Sequence, residues 1–79
     1  MSKEELRKEI EVLVSFYSGR SGWAFDKIQK ILDKKAKGDL SIDLDIQMKI
    51  YNQVHSDSVK AFNFMETLKE LLDKEEVRP

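Results

Sequence analysis

The residue types that can hold a ligand gather in one short stretch, Tyr17-Ser18-Gly19-Arg20-Ser21-Gly22-Trp23. Read as a loop between two helices, it places two glycines where a backbone can approach a ligand closely. Free N–H groups at the start of the following helix favour an anion. Arg20 adds a forked donor, Ser18 and Ser21 add hydroxyls, and Tyr17 or Trp23 adds a stacking face. A phosphate, a nucleotide or an acidic side chain fits that chemistry. The stretch matches neither the P-loop nor the dinucleotide fingerprint. A plain interhelical turn with Trp23 packed as an anchor is the simpler reading of the same residues.

Little else points to bond-making chemistry. Cysteine is absent and His55 is the single histidine, so no nucleophile arrangement can be assigned by spacing. His55 beside Asp57 reads as a helix-end residue. No catalytic residue and no enzyme activity are therefore expected. Asp39, Asp43 and Asp45 are close in sequence, and a calcium loop needs oxygen ligands at alternate positions, a central glycine and a later glutamate. Here the alternate positions are apolar, so helix capping and dipole compensation explain these aspartates, and no metal or cofactor is expected. Lys27, Lys30, Lys34 and Lys37 form a basic face, with Lys35 and Arg20 beside it. Such a face can contact phosphates. The pI of about 5.8 and the interspersed acids weigh against a dedicated nucleic-acid-binding domain and favour a solvated helix face.

Four segments must position these residues. The first runs from about residue 2 to 17. Ser2 can cap it, with Glu5 three residues on. Leu6, Ile10, Leu13, Val14 and Tyr17 then repeat at helical spacing. The second runs from about 23 to 37, with Ala24, Phe25, Ile28, Ile31 and Leu32 on one face and Gly38 as a C-terminal stop. The third, about 41 to 55, begins in strict alternation: Leu40, Ile42, Leu44, Ile46, Met48 and Ile50. Alternation is a strand signal. No second segment offers a strand to pair with, Ser41 can cap, and Asp43 and Asp45 suit a helix N-terminus, so a helix is expected. The fourth runs from about 58 to 75, with Ala61, Phe64, Met65, Leu68, Leu71 and Leu72 as its stripe. A break near Ser56 is expected. However, Ile50, Val54, Asp57, Ala61, Phe64, Leu68 and Leu71 keep a near-heptad spacing across it, so one helix of more than 30 residues is the alternative. The tail from Lys74 onward is expected to fray.

Read as a helix, the third segment places Leu40, Leu44, Met48 and Tyr51 on one face and Ile42, Ile46 and Ile50 roughly on the other. A helix that is apolar on two sides must be covered on both. In a chain of 79 residues without cysteine, association is the remaining route to stability. Ile42, Ile46 and Ile50 are therefore the expected self-association surface. Charge is bipolar as well. Residues 1–37 carry nine Lys/Arg and six Asp/Glu, a net +3, and residues 38–79 carry five and nine, a net −4. Such a chain can associate head to tail or bind a charged partner with one half.

Charged residues are 37% and hydrophobic residues 41% of the chain, a mixture that suits a charged-surface helical domain. The longest apolar runs are far too short to span a bilayer, and the charged N-terminus does not resemble a signal peptide. A cytoplasmic location is expected, in a host cell if the gene is viral. Size, charge and helical pattern are similar, at the level of class, to bacteriocin immunity proteins and small phage-encoded inhibitors. That likeness implies a protein that occupies a partner's surface. The expected fold is an all-α bundle of three or four helices with short loops, forming a homo-oligomer. The expected function is non-enzymatic binding of another protein, as an inhibitor, immunity protein or adaptor. One alternative is an oligomer that binds or sequesters a phosphorylated ligand such as a cyclic nucleotide through the Tyr17–Trp23 loop. A weaker one is a packaging oligomer that contacts nucleic acid through the lysine face.

Overall fold

Helix formation begins at Ser2, whose hydroxyl accepts a hydrogen bond from the Glu5 N–H at 3.2 Å. That satisfies one of the donors a helix start leaves open. Glu4 and Glu5 in the first turn and Lys34 and Lys35 in the last complement the helix dipole. The computed structural model describes residues 2–77, and the side chains of residues 2–74. Helix α1 spans Lys3–Ala36 and helix α2 spans Ile42–Val77. Residues 78 and 79 of the tail lie outside the described residues.

The all-α class is as expected, but the architecture is a helical hairpin and not a bundle of three or four helices. Two expected breaks are missing. Residues 18–22 lie inside α1, and Ser56 lies inside α2. The glycines were the misleading signal. Gly19 and Gly22 cost helix stability but do not end the helix, because the apolar repeat continues through them. No glycine but Gly38 takes a positive φ among the described residues.

Gly38 makes the turn. Its φ is 99°, a conformation that favours glycine. The Gly38 N–H donates to the Lys35 carbonyl at 3.0 Å and the Asp39 N–H to the Lys34 carbonyl at 3.1 Å. This pair of bonds is a Schellman motif. Next, the Asp39 carboxylate accepts from the Ser41 N–H at 3.1 Å, and α2 begins one residue later. Leu40, expected on a buried face, sits in this turn and is 81% exposed.

The helices pack along one seam. On α1 it runs Arg7, Ile10, Val14, Tyr17, Ser21, Ala24, Ile28, Ile31 and Lys35; on α2 it runs Leu44, Met48, Tyr51, His55, Ser58, Phe62, Met65, Lys69 and Leu72. Spacing alternates three and four without a slip, and every one of these residues is buried or half-buried. This is the knobs-into-holes repeat of a coiled coil, here between antiparallel helices of one chain. Small residues occupy its middle: Ala24 is 0% and Ser58 3% exposed. Ionic pairs close both ends, with Arg7 donating to Asp73 at 2.6 Å at the open end and Lys35 pairing with Asp45 beside the turn. The hairpin is long and thin, 62 × 18 × 13 Å.

Candidate interaction face

Two helices meet along a line and leave the rest of their surfaces uncovered. Only Ile10, Ala24, Ile31, Leu44 and Leu72 are buried apolar residues among those described. Many larger apolar side chains are not. Phe16 is 55%, Phe64 59% and Leu71 54% exposed.

Thirteen large apolar residues are exposed among those described, and six of them, Leu6, Phe16, Trp23, Ile50, Phe64 and Leu71, follow one pattern. Positions one residue before each seam position sit about 100° around the helix from the seam. On α1 they are Leu6, Glu9, Leu13, Phe16, Arg20, Trp23, Lys27, Lys30 and Lys34; on α2 they are Asp43, Gln47, Ile50, Val54, Asp57, Ala61, Phe64, Leu68 and Leu71. In an antiparallel pair both flanks turn to the same side. A groove of about 360 Å³ confirms this near the open end, because Leu6 and Leu13 line it together with Leu68 and Leu71. The other side carries the positions one residue after the seam. It is mostly polar, with Lys8, Ser15 and Gln29 on α1 and Asn52, Asn63 and Glu70 on α2, although Phe25, Leu32 and Val59 are also exposed there. One side of the hairpin thus carries an apolar face from the open end to about Trp23 and Ile50, beyond which Lys27, Lys30, Lys34, Asp43 and Gln47 take its positions.

Toward its middle the face changes character. Trp23 stacks edge-on against Tyr51, with ring centroids 5.4 Å apart at 78°. Arg20 and Lys27 stand over the Trp23 ring, 6.0 and 5.9 Å from its centroid. A shallow cleft is bounded by Phe16, Gly19, Arg20 and Trp23. On α2 at this height, Asp57 accepts from Gln53 Nε2 at 2.9 Å. The face is therefore apolar at the open end and becomes charged toward the turn.

The residues read as a loop in the sequence fall differently from expectation. Tyr17, Ser18, Arg20, Ser21 and Trp23 do not form a loop. Their backbone N–H groups belong to the ladder of α1, so the free donors expected for an anion are not there. The five side chains also diverge. Tyr17 and Ser21 face the seam, Arg20 and Trp23 lie on the apolar side, and Ser18 borders a cleft on the polar side with Val59 and Asn63. The Ser21 hydroxyl donates to the Ser18 carbonyl at 2.9 Å. His55 lies in the seam with its ring 6.1 Å from that of Phe25, and not at a helix end. The lysine face is partly neutralised by α1 itself, through Lys30–Asp26 and through the C-capping Lys37 with Asp33, at 3.2 Å each. Ile42, Ile46 and Ile50 are each at least half exposed, while Leu44 in the same segment is buried.

Sequence reasoning missed Phe16 and the extent of the face. The signal was present in the series from Ile50 to Leu71, whose heptad spacing is real but marks the flank and not the seam. Among the described residues, no group of three or more His, Cys, Asp or Glu can hold a metal ion, and no helix is long and apolar enough to cross a membrane. Compared with known proteins, the chain matches no family model, no curated protein and no solved structure.

Proposed function

We propose that the hairpin is a non-enzymatic binding protein that acts through protein–protein contacts made by its apolar face. One observation carries this reading. Leu6, Phe16, Trp23, Phe64 and Leu71 are exposed on one side of the hairpin, in register with each other and with the half-buried Leu13, Val54, Ala61 and Leu68. Scattered exposed apolar residues are ordinary, but a contiguous strip of them marks an interaction surface. Aromatic residues and arginine, which dominate binding energy at interfaces, are gathered there as Phe16, Arg20, Trp23 and Phe64. The strip presents a stiff helical surface, so little ordering is needed on binding.

A photo-crosslinking side chain placed at Phe64, and separately at Asn52 on the polar side, tests the assignment in cells that make the protein. Protein adducts from position 64 and none from position 52 are expected. Absence of adducts from position 64, with the chain folded and present, would refute the reading.

A further inference from the structure

We infer that the apolar face is covered by a second copy of this chain, stacked face to face about a two-fold axis that runs along the hairpin, with both turns at the same end. This rests on the proposed binding role of the face and names its occupant.

Area is the first argument. A compact protein of 9.3 kDa exposes about 5,000 Å², whereas this hairpin exposes 5991 Å². Two separate copies expose about 12,000 Å², and one compact body of twice the mass exposes about 8,200 Å². The difference, on the order of 3,500–4,000 Å², is a ceiling, because a pair 62 Å long is not fully compact; half of it still reaches a standard interface. Stable interfaces of standard size bury about 1,600 Å², and permanent homodimers bury more than about 2,000 Å². A four-helix arrangement therefore meets what a stable dimer needs, and a seam-only hairpin leaves that area in water.

Charge and pattern then choose the arrangement. Two hairpins can stack in two symmetric ways. With the axis along the helices, α1 lies on α2 of the other copy and heights along the hairpin are kept. With the axis across the helices, α1 lies on α1 and heights are inverted. Helix α1 carries eight Lys/Arg and six Asp/Glu, a net +2, and α2 carries four and eight, a net −4. Opposite charge favours the first arrangement and like charge opposes the second. The face pattern agrees. Kept heights set Phe16 against Phe64 and Leu6 against Leu71, and they bring Arg20 level with Asp57 of the other copy. Inverted heights instead carry the open-end leucines toward Lys27 and the other turn-end lysines. Arg20 and Asp57 each retain hydrogen-bonding capacity beyond the contacts they already make.

Three measurements on the full chain decide it. Sedimentation equilibrium is expected to give twice the chain mass, and Phe64→Glu to give a single chain mass. A single chain mass for the unmodified protein at high concentration, or a trimer or larger, overturns the proposal. It leaves the binding role of the face standing unless crosslinking from Phe64 also fails. A spin label at Asp39→Cys in the turn is expected to give label–label distances well under half the 62 Å length of the hairpin; distances near that full length overturn the stacking. Finally, Arg20→Asp and Asp57→Arg are each expected to weaken dimerisation about tenfold, from two like-charge pairs per dimer. Mixed together, the two variants are expected to form a heterodimer in preference to either homodimer. No such preference overturns the Arg20–Asp57 pairing. Helicity measured by circular dichroism at matched concentration separates these effects from unfolding.

Discussion

Replacing Gly22 with alanine should stabilise the protein, a counterintuitive result for a residue flanked by serine and tryptophan in a turn-like stretch. Gly22 lies near the middle of α1 with no positive φ. A Cβ built there meets no heavy atom within 4 Å beyond its chain neighbours and its own helix backbone, so no steric term opposes the change. What remains is backbone entropy and helix propensity, which favour alanine by about 0.5–1 kcal/mol. For a domain of this size each kcal/mol moves Tm by about 4–8 °C, so a rise of roughly 2–8 °C is expected. Gly19 has the same open surroundings, and the double replacement should add roughly as much again. Thermal unfolding followed by circular dichroism reads the effect, at one fixed protein concentration because association moves Tm by mass action. Gly38 supplies a control of opposite sign. Its surroundings are equally open, yet its φ of 99° makes alanine costly by about 1–2 kcal/mol. An unchanged or lowered Tm for Gly22→Ala would refute the reasoning, because it would mean that residues 18–22 leave the helix.

Other substitutions probe the seam and the cap. Ala24→Leu should destabilise by about 1–3 kcal/mol, since Ala24 has no exposed surface and a larger side chain would have to push the two helices apart; the urea midpoint measures it, and tolerance would mean that the helices are looser there. Ile31→Ala should cost about 2–5 kcal/mol, most of the margin of so small a domain, and a loss below 1 kcal/mol would show that Ile31 is not packed. Ser2→Ala should remove the bond to Glu5 and lower stability by about 0.5–2 kcal/mol, with Ser2→Asp retaining it.

Much of the fold was legible in residue spacing. Ser2 was readable as a cap and Gly38 as a stop because each acts locally, through one or two hydrogen bonds. Helix count was not readable, because Gly19, Gly22 and the serines around them are turn residues by local preference. Their preference is worth only about 1 kcal/mol each, and a seam running from Arg7 to Lys35 outweighs it. The same logic applies at Ser56, where a polar stretch without glycine or proline does not interrupt a continuing repeat. The alternation from Leu40 to Ile50 looked like a strand for a comparable reason. On the helix it splits between Leu44 and Met48 in the seam and three isoleucines outside it. The candidate site was less legible. A loop reading assembled Tyr17 to Trp23 into one cluster, whereas a helix distributes the same residues around its circumference, and the face that emerges depends on two helices whose relative register no single segment reveals.

The two ionic pairs that close the seam also bear on how the chain reaches its fold. Lys35 and Asp45 are 10 residues apart in sequence, and Arg7 and Asp73 are 66 apart. Closing the longer loop directly costs about 1.7 kcal/mol more than closing the shorter one. Pairing that starts beside Gly38 and advances one heptad at a time avoids that penalty, because each new contact extends a loop already closed. The hairpin should therefore fold as a zipper from its turn. Substitutions at Gly38 or Ile31 should then slow folding, and substitutions at Ile10 or Leu72 should mainly hasten unfolding. Stopped-flow kinetics would show the reverse if the open end formed first.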